Sequence, residues 1–179
     1  MREIALHILD IAQNSVVAKA ETVRIDVLED TKADTLTVSI VDDGCGMSAE
    51  FLSQVTDPFT TKRTSRKVGL GIPLIKLAAE NTGGSFEIQS ELGKGTSLKA
   101  VFGLTHIDRQ PLGNMAETIL GLVTGNEDVN FVYTHRIDEK EFVLDTKQLK
   151  EVLGDVPFSN LEVYSWLSEY LSEGEGELV

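Results

Sequence analysis

Val41-Asp42-Asp43-Gly44-Cys45-Gly46-Met47 closes a strand-like run, Leu36-Thr37-Val38-Ser39-Ile40-Val41, with a cluster of acids and glycines. The alternation of the run fits a half-buried strand, after which Gly44 and Gly46 permit a turn by tolerating positive φ and by leaving no Cβ in the way of a bound molecule. Taken alone, the cluster reads more readily as an ordinary strand-ending turn than as a ligand-touching loop with a carboxylate at its mouth. Its surroundings decide between the two.

Working outward, residues 4–20 carry Ile4, Ile8, Ile11, Ala12 and Val16 at helical spacing, with Asp10 and Asn14 one turn apart on a single face. Residues 22–28 and 35–41 are rich in β-branched side chains and predict a hairpin through a polar connection. After the cluster, Ser48 is placed to cap a short helix that Asp57-Pro58 interrupts. Residues 59–68 turn polar and basic, with Lys62, Arg63, Arg66 and Lys67 close together, and predict a mobile loop that either receives an anion or is simply solvated. Gly69-Leu70-Gly71 then opens a helix over 72–81, where exposed N–H groups and the helix dipole suit phosphate oxygens. Residues 85–90 and 97–104 predict a second hairpin through Gly93-Lys94-Gly95-Thr96.

Composition bounds the function. The 179 residues are 41% hydrophobic and 25% charged, enough for one sound core in an ordinary soluble chain. A net charge of −13 argues against a nucleic-acid surface, and no apolar segment approaches the roughly 20 residues of a membrane span. Cys45 is the single cysteine, so no intramolecular disulfide forms and a reducing, cytoplasmic setting is predicted.

The order Asp10-x-x-x-Asn14, Asp42-Asp43-Gly44-Cys45-Gly46-Met47, Asp57-Pro58-Phe59-Thr60-Thr61-Lys62, Gly69-Leu70-Gly71-Ile72 and Gly93-Lys94-Gly95-Thr96 resembles the ATP-binding domain shared by gyrase B, the large heat-shock chaperones, histidine kinases and MutL. The similarity covers residues 1–104 and looks closest to the catalytic domain of histidine kinases. It implies an α+β, two-layer α/β sandwich of the Bergerat type, with ATP and Mg²⁺ as cofactors. Carried onto this chain, Asp42 would accept a hydrogen bond from the adenine amino group, Gly44 and Gly46 would admit the base, and Met47 would wall it. Thr96 would support a water-bridged contact to the adenine, Asn14 would ligate Mg²⁺, and Gly69, Leu70 and Gly71 would face the phosphates. Lys62, with Arg66 and Lys67, is the candidate for phosphate neutralisation. Lys67 departs from the pattern, standing where histidine kinases usually have a glycine.

Asp10 occupies the position of the glutamate that acts as general base in the ATP-hydrolysing and serine-kinase members. The resemblance leaves it either as a possible general base orienting a water or hydroxyl, or as a group in the water shell of Mg²⁺. Histidine kinases also need a phosphoacceptor helix, for which only a few residues precede the first helix here. His7, His106 and His135 read as structural or surface histidines, so an acceptor is expected on another chain. The implied function is a phosphotransferase acting on a separate partner, or a slow ATPase, the other reading being a non-catalytic ATP-responsive binding module. The resemblance to free-standing proteins of this shape in anaerobic bacteria implies a redox-enzyme subunit as one class of protein partner.

Residues 105–172 fall outside the resemblance and predict a small α+β extension: helices over 111–123, 148–153 and 161–171, and a hairpin of 129–135 with 141–146. Phe131, Tyr133 and Phe142 read as core. Tyr164, Trp166 and Tyr170 either pack on the body or form a partner surface. Residues 173–179, Glu-Gly-Glu-Gly-Glu followed by Leu-Val, predict a disordered acidic tail.

Overall fold

A computed structural model describes residues 3–56 and 71–179. Its centre is a six-stranded sheet in the order β3-β4-β2-β1-β5-β6. The strands are β1 (Thr22–Asp30), β2 (Thr35–Asp42), β3 (Ser85–Glu91), β4 (Gly95–Gly103), β5 (Asn130–Ile137) and β6 (Lys140–Asp145). The described helices are α1 (Ile4–Val17), α2 (Ala49–Val55), α3 (Gly71–Glu80), α4 (Met115–Gly125), α5 (Thr146–Leu153) and α6 (Leu161–Leu178).

Alternation sets the two layers. Val23, Ile25 and Val27 on β1 and Leu36, Val38 and Ile40 on β2 are buried, as are Leu98, Ala100 and Phe102 on β4 and Phe131 and Tyr133 on β5. Together they form one core with the apolar stripes of the helices, while Arg24, Ser97 and Lys99 stand exposed on the opposite face. The expected two-layer α+β sandwich is therefore present.

α1 buries Ile4, Ile8, Ile11, Ala12 and Ser15 along one stripe. It ends at Val17, three residues short of the expected span, because Lys19 turns left-handed at φ 63°. The N–H groups of Ile4 and Ala5 donate to the carbonyls of Pro111 and Leu112 at 3.0 and 2.8 Å. This explains a shift in α4, expected from residue 111. Pro111 and Leu112 instead cap α1, and α4 starts at Met115 behind Asn114, whose side chain accepts from the Glu117 N–H.

The extension is built into the sheet. β5 runs parallel to β1, with Ile25 opposite Tyr133 and Val27 opposite His135, and β6 closes the edge by antiparallel pairing with β5. Phe131, Tyr133 and Phe142 are buried as expected. α5 begins two residues early because Asp145 caps it and the buried Thr146 Oγ1 accepts from the Phe131 N–H.

The acidic end corrects the sequence reading. Residues 173–178 continue α6 rather than forming a disordered tail. Gly and Glu favour disorder by composition, but Leu178 is only 4% exposed and Glu175 is bound on both oxygens. Tyr133 donates its hydroxyl to Glu175 Oε1 at 2.7 Å, and His135 Nδ1 lies 2.7 Å from Glu175 Oε2 while its Nε2 lies 3.0 Å from Glu29. Gly174 is also required, since a Cβ there would collide with the Phe142 ring. Tertiary contact thus outweighs the glycine cost of roughly 1 kcal/mol per residue.

Candidate nucleotide site

The pocket forms where the α1 stripe meets the carboxyl end of β2. β2 and β4 pair antiparallel with Asp42 opposite Thr96, so the acid-glycine cluster and the Gly93-to-Thr96 turn meet through sheet register. The resulting cavity, about 250 Å³, is walled by Ile11, Ile40, Met47, Phe51, Ile72 and Leu98. Asn14, Ser15, Asp42 and Thr96 supply its polar groups.

Asp42 is held at both oxygens. Its Oδ1 accepts from the Gly44 N–H at 2.9 Å, and its Oδ2 accepts from the Ser15 hydroxyl at 2.6 Å. Two donors fix the carboxylate plane, and the remaining lone pairs are left to accept from a ligand. Asp43 does different work: its Oδ1 accepts from the Glu21 and Thr22 N–H groups at 2.8 and 2.9 Å, pinning the start of β1.

The glycines fit by elimination of space. A Cβ on Gly44 would press on Ala18, and Gly46, at φ +70°, would place one 2.0 Å from the Glu91 carbonyl oxygen. The Met47 N–H donates to Ser90 Oγ at 2.8 Å, and Ser90 in turn donates to the Gly95 carbonyl at 3.0 Å. With its proton so used, Ser90 receives the Thr96 hydroxyl at 2.8 Å, and Thr96 keeps acceptor capacity beside Asp42.

Of the residues predicted for the site, the structure brings Asn14, Asp42, Gly46, Met47 and Thr96 into one wall, with Gly44 directly behind Asp42. Asp10 is exposed and stands outside that wall, against Gly71 at the start of α3: a Cβ on Gly71 would lie 3.1 Å from the Asp10 Cβ. Lys62, Gly69 and Leu70, with Arg66 and Lys67, lie outside the described residues.

Two members of the site were missed. Ser15 is a polar residue on the buried stripe of α1, a pattern that itself signals a tertiary partner, and Ser90 lies opposite Thr96 on β3. Cys45 also lines the cavity and is exposed. Among the described residues no cluster of His, Cys, Asp or Glu could hold a metal ion by itself. Nor is any described helix long and apolar enough to cross a membrane.

An apolar slot at the end of a strand, floored by one fixed acceptor and bordered by tight glycine turns, defines a small-molecule-binding domain of the α+β class. A family model described as histidine kinase-, DNA gyrase B- and HSP90-like ATPase matches residues 1–106, and the chain belongs to that family. This makes it an ATP-binding domain related to histidine-kinase catalytic domains. It is 34% identical over 103 residues to a putative sensor protein of Shewanella frigidimarina, covering 56% of this chain and 16% of that one. A probable C4-dicarboxylate sensor kinase of Bacillus subtilis is 31% identical over 84 residues, 47% of this chain and 16% of the relative. The chain thus spans about a sixth of the length of these curated relatives.

Among solved structures, the N-terminal domain of a DNA repair protein superposes with TM-score 0.60 at 12% identity, covering 87% of this chain and 58% of that one. The Aquifex aeolicus MutL ATPase domain complexed with ADP gives TM-score 0.52 at 16% identity, covering 86% and 69%. These matches show the fold.

Proposed function

We propose that this chain binds Mg²⁺-ATP and passes the terminal phosphate to a separate protein, or releases it slowly as phosphate. The observation that carries this reading is the Asp42 carboxylate, fixed by Ser15 and Gly44 on the floor of an otherwise apolar cavity. Such an acceptor pairs with an exocyclic amine and leaves a guanine carbonyl unpaired, which selects adenine. Asn14, on the same wall, offers one amide oxygen to Mg²⁺, and the Gly71 end of α3 offers N–H groups to phosphate. Bound Mg²⁺ would neutralise phosphate charge; the chain's own residues orient the nucleotide and close the base away from water.

The test is calorimetry with ATP, with and without Mg²⁺, followed by tracing of labelled γ-phosphate. Absence of nucleotide binding overturns the proposal. Asn14→Ala is expected to retain ATP binding while abolishing its dependence on Mg²⁺. Ser15→Ala removes a donor to a charged acceptor, about 1.5 kcal/mol, so the Kd for ATP is expected to rise about tenfold, measured by the same calorimetry.

A second reading, an ATP-responsive binding module without turnover, is favoured by the placement of Asp10 outside the cavity wall. Turnover separates the two: labelled γ-phosphate that is neither released nor passed to a partner excludes the enzyme, and where turnover occurs a drop in Asp10→Asn supports Asp10 as the base while an unchanged rate removes it from the chemistry.

A further inference from the structure

α6 carries a surface that the nucleotide site does not use. Leu167, Leu171 and Leu178 bury its inner stripe, while Trp166 and Tyr170 remain 47% and 37% exposed. The two rings stack, centroids 5.1 Å apart at 15°, and Tyr170 leans on Phe142 at 5.3 Å, which meets Tyr133 edge-on at 6.3 Å. Trp166 is therefore anchored through a line of aromatics reaching into the core, a pre-ordered platform rather than a loose side chain.

Helical geometry decides what surrounds it. At 100° per residue, Glu162, Glu169, Glu173 and Glu177 fall with Trp166 and Tyr170 inside about 100° of arc. Residues 161–179 contain no Lys or Arg. No ion pair joins these four glutamates to a cation among the described residues. Two of these, Glu173 and Glu177, also crowd the helix's C-terminal end, where the dipole is already negative, while Glu175 turns inward to His135. The flank thus combines an exposed aromatic face with unneutralised charge of one sign.

We propose that the Trp166–Tyr170 flank of α6 docks a basic segment of a partner protein. Its Arg or Lys side chains lie over the open face of Trp166 and pair with Glu162, Glu169 and Glu173. Tryptophan is the strongest cation-binding ring and a preferred anchor of interfaces. Nucleic acids and anionic membranes are repelled by this flank, and two copies of a chain of charge −13 repel each other.

Trp166 is the chain's single tryptophan, so its fluorescence reports on the flank directly. The 179-residue chain is titrated at low salt with octa-arginine, octa-lysine and octa-glutamate. Octa-arginine is expected to alter Trp166 emission saturably and more tightly than octa-lysine, because guanidinium stacks on the ring, and octa-glutamate is expected to have no effect. Glu169→Gln/Glu173→Gln keeps the reporter and should raise the octa-arginine Kd about fivefold. Glu80→Gln/Glu87→Gln, with the same change in net charge on α3 and β3, should leave it unaltered. Calorimetry on Trp166→Ala should show a similar loss. Equal weakening by both double variants, no emission change with octa-arginine, or sedimentation showing a dimer that buries Trp166 would overturn the proposal.

Discussion

Asp42→Asn is expected to raise the Kd for ATP by roughly ten- to a hundredfold, the loss of one hydrogen bond to a charged acceptor at about 1.5–3 kcal/mol. The substituted amide keeps the shape of the carboxylate but turns one acceptor into a donor. Ser15 and Gly44 each offer a donor to this side chain, at 2.6 and 2.9 Å, so the NH₂ cannot satisfy both and also receive an adenine amine. The discriminating readout is the ratio of ATP to GTP affinity, which should narrow, since an amide can give a proton to the guanine carbonyl. Calorimetry with both nucleotides measures this ratio, with thermal melts confirming the fold. An unchanged ratio would show that another group reads the base.

The second large effect concerns stability. Burial alone pushes the His135 imidazole down, but its hydrogen bonds to Glu175 and Glu29 outweigh burial and hold it up at about 9. The usual value is near 6.5, so the folded protein binds the proton more tightly than the unfolded chain. The stabilisation is full below pH 6.5 and is lost as pH rises through 9; allowing for partial solvent screening, it is about 2–3 kcal/mol. Urea unfolding at pH 6 and pH 9.5 should therefore show weaker stability at the higher pH. His135→Gln should be less stable at pH 6 and lose most of this slope. A variant that kept the full slope would assign it to other groups.

What was legible in the sequence was local. The spacing of Ile4, Ile8, Ile11 and Ala12, the alternation through Ile40, and the glycines after Asp42 each act within a few residues, and the structure realises them. The pairing of Asp42 with Thr96 was reachable only through motif order, because register between distant strands leaves no local mark. The parallel seam of β1 and β5 joins segments about a hundred residues apart and was not legible at all. Residues 173–178 misled for the opposite reason: their composition is that of a solvated tail, and only the Tyr133 and His135 contacts to Glu175, with burial of Leu178, hold them helical. His135 read as a structural or surface histidine, and the structure buries it; its two carboxylate partners come from β1 and α6, which no spacing reveals.

The seam between β1 and β5 carries a lesson about divisibility. The family match stops at residue 106, yet one whole edge of β1, from Thr22 to Glu29, is occupied by residues 130–137, and the first turn of α1 is tied to Pro111 and Leu112. A chain cut where the family match ends would keep the residues that line the cavity and still be a poor protein: β1 would become an unprotected border, open to pairing with the same border on its neighbours. The stretch matched by sequence and the stretch that completes the sheet are therefore different lengths in this molecule, and the solved structures that superpose on it follow the longer one.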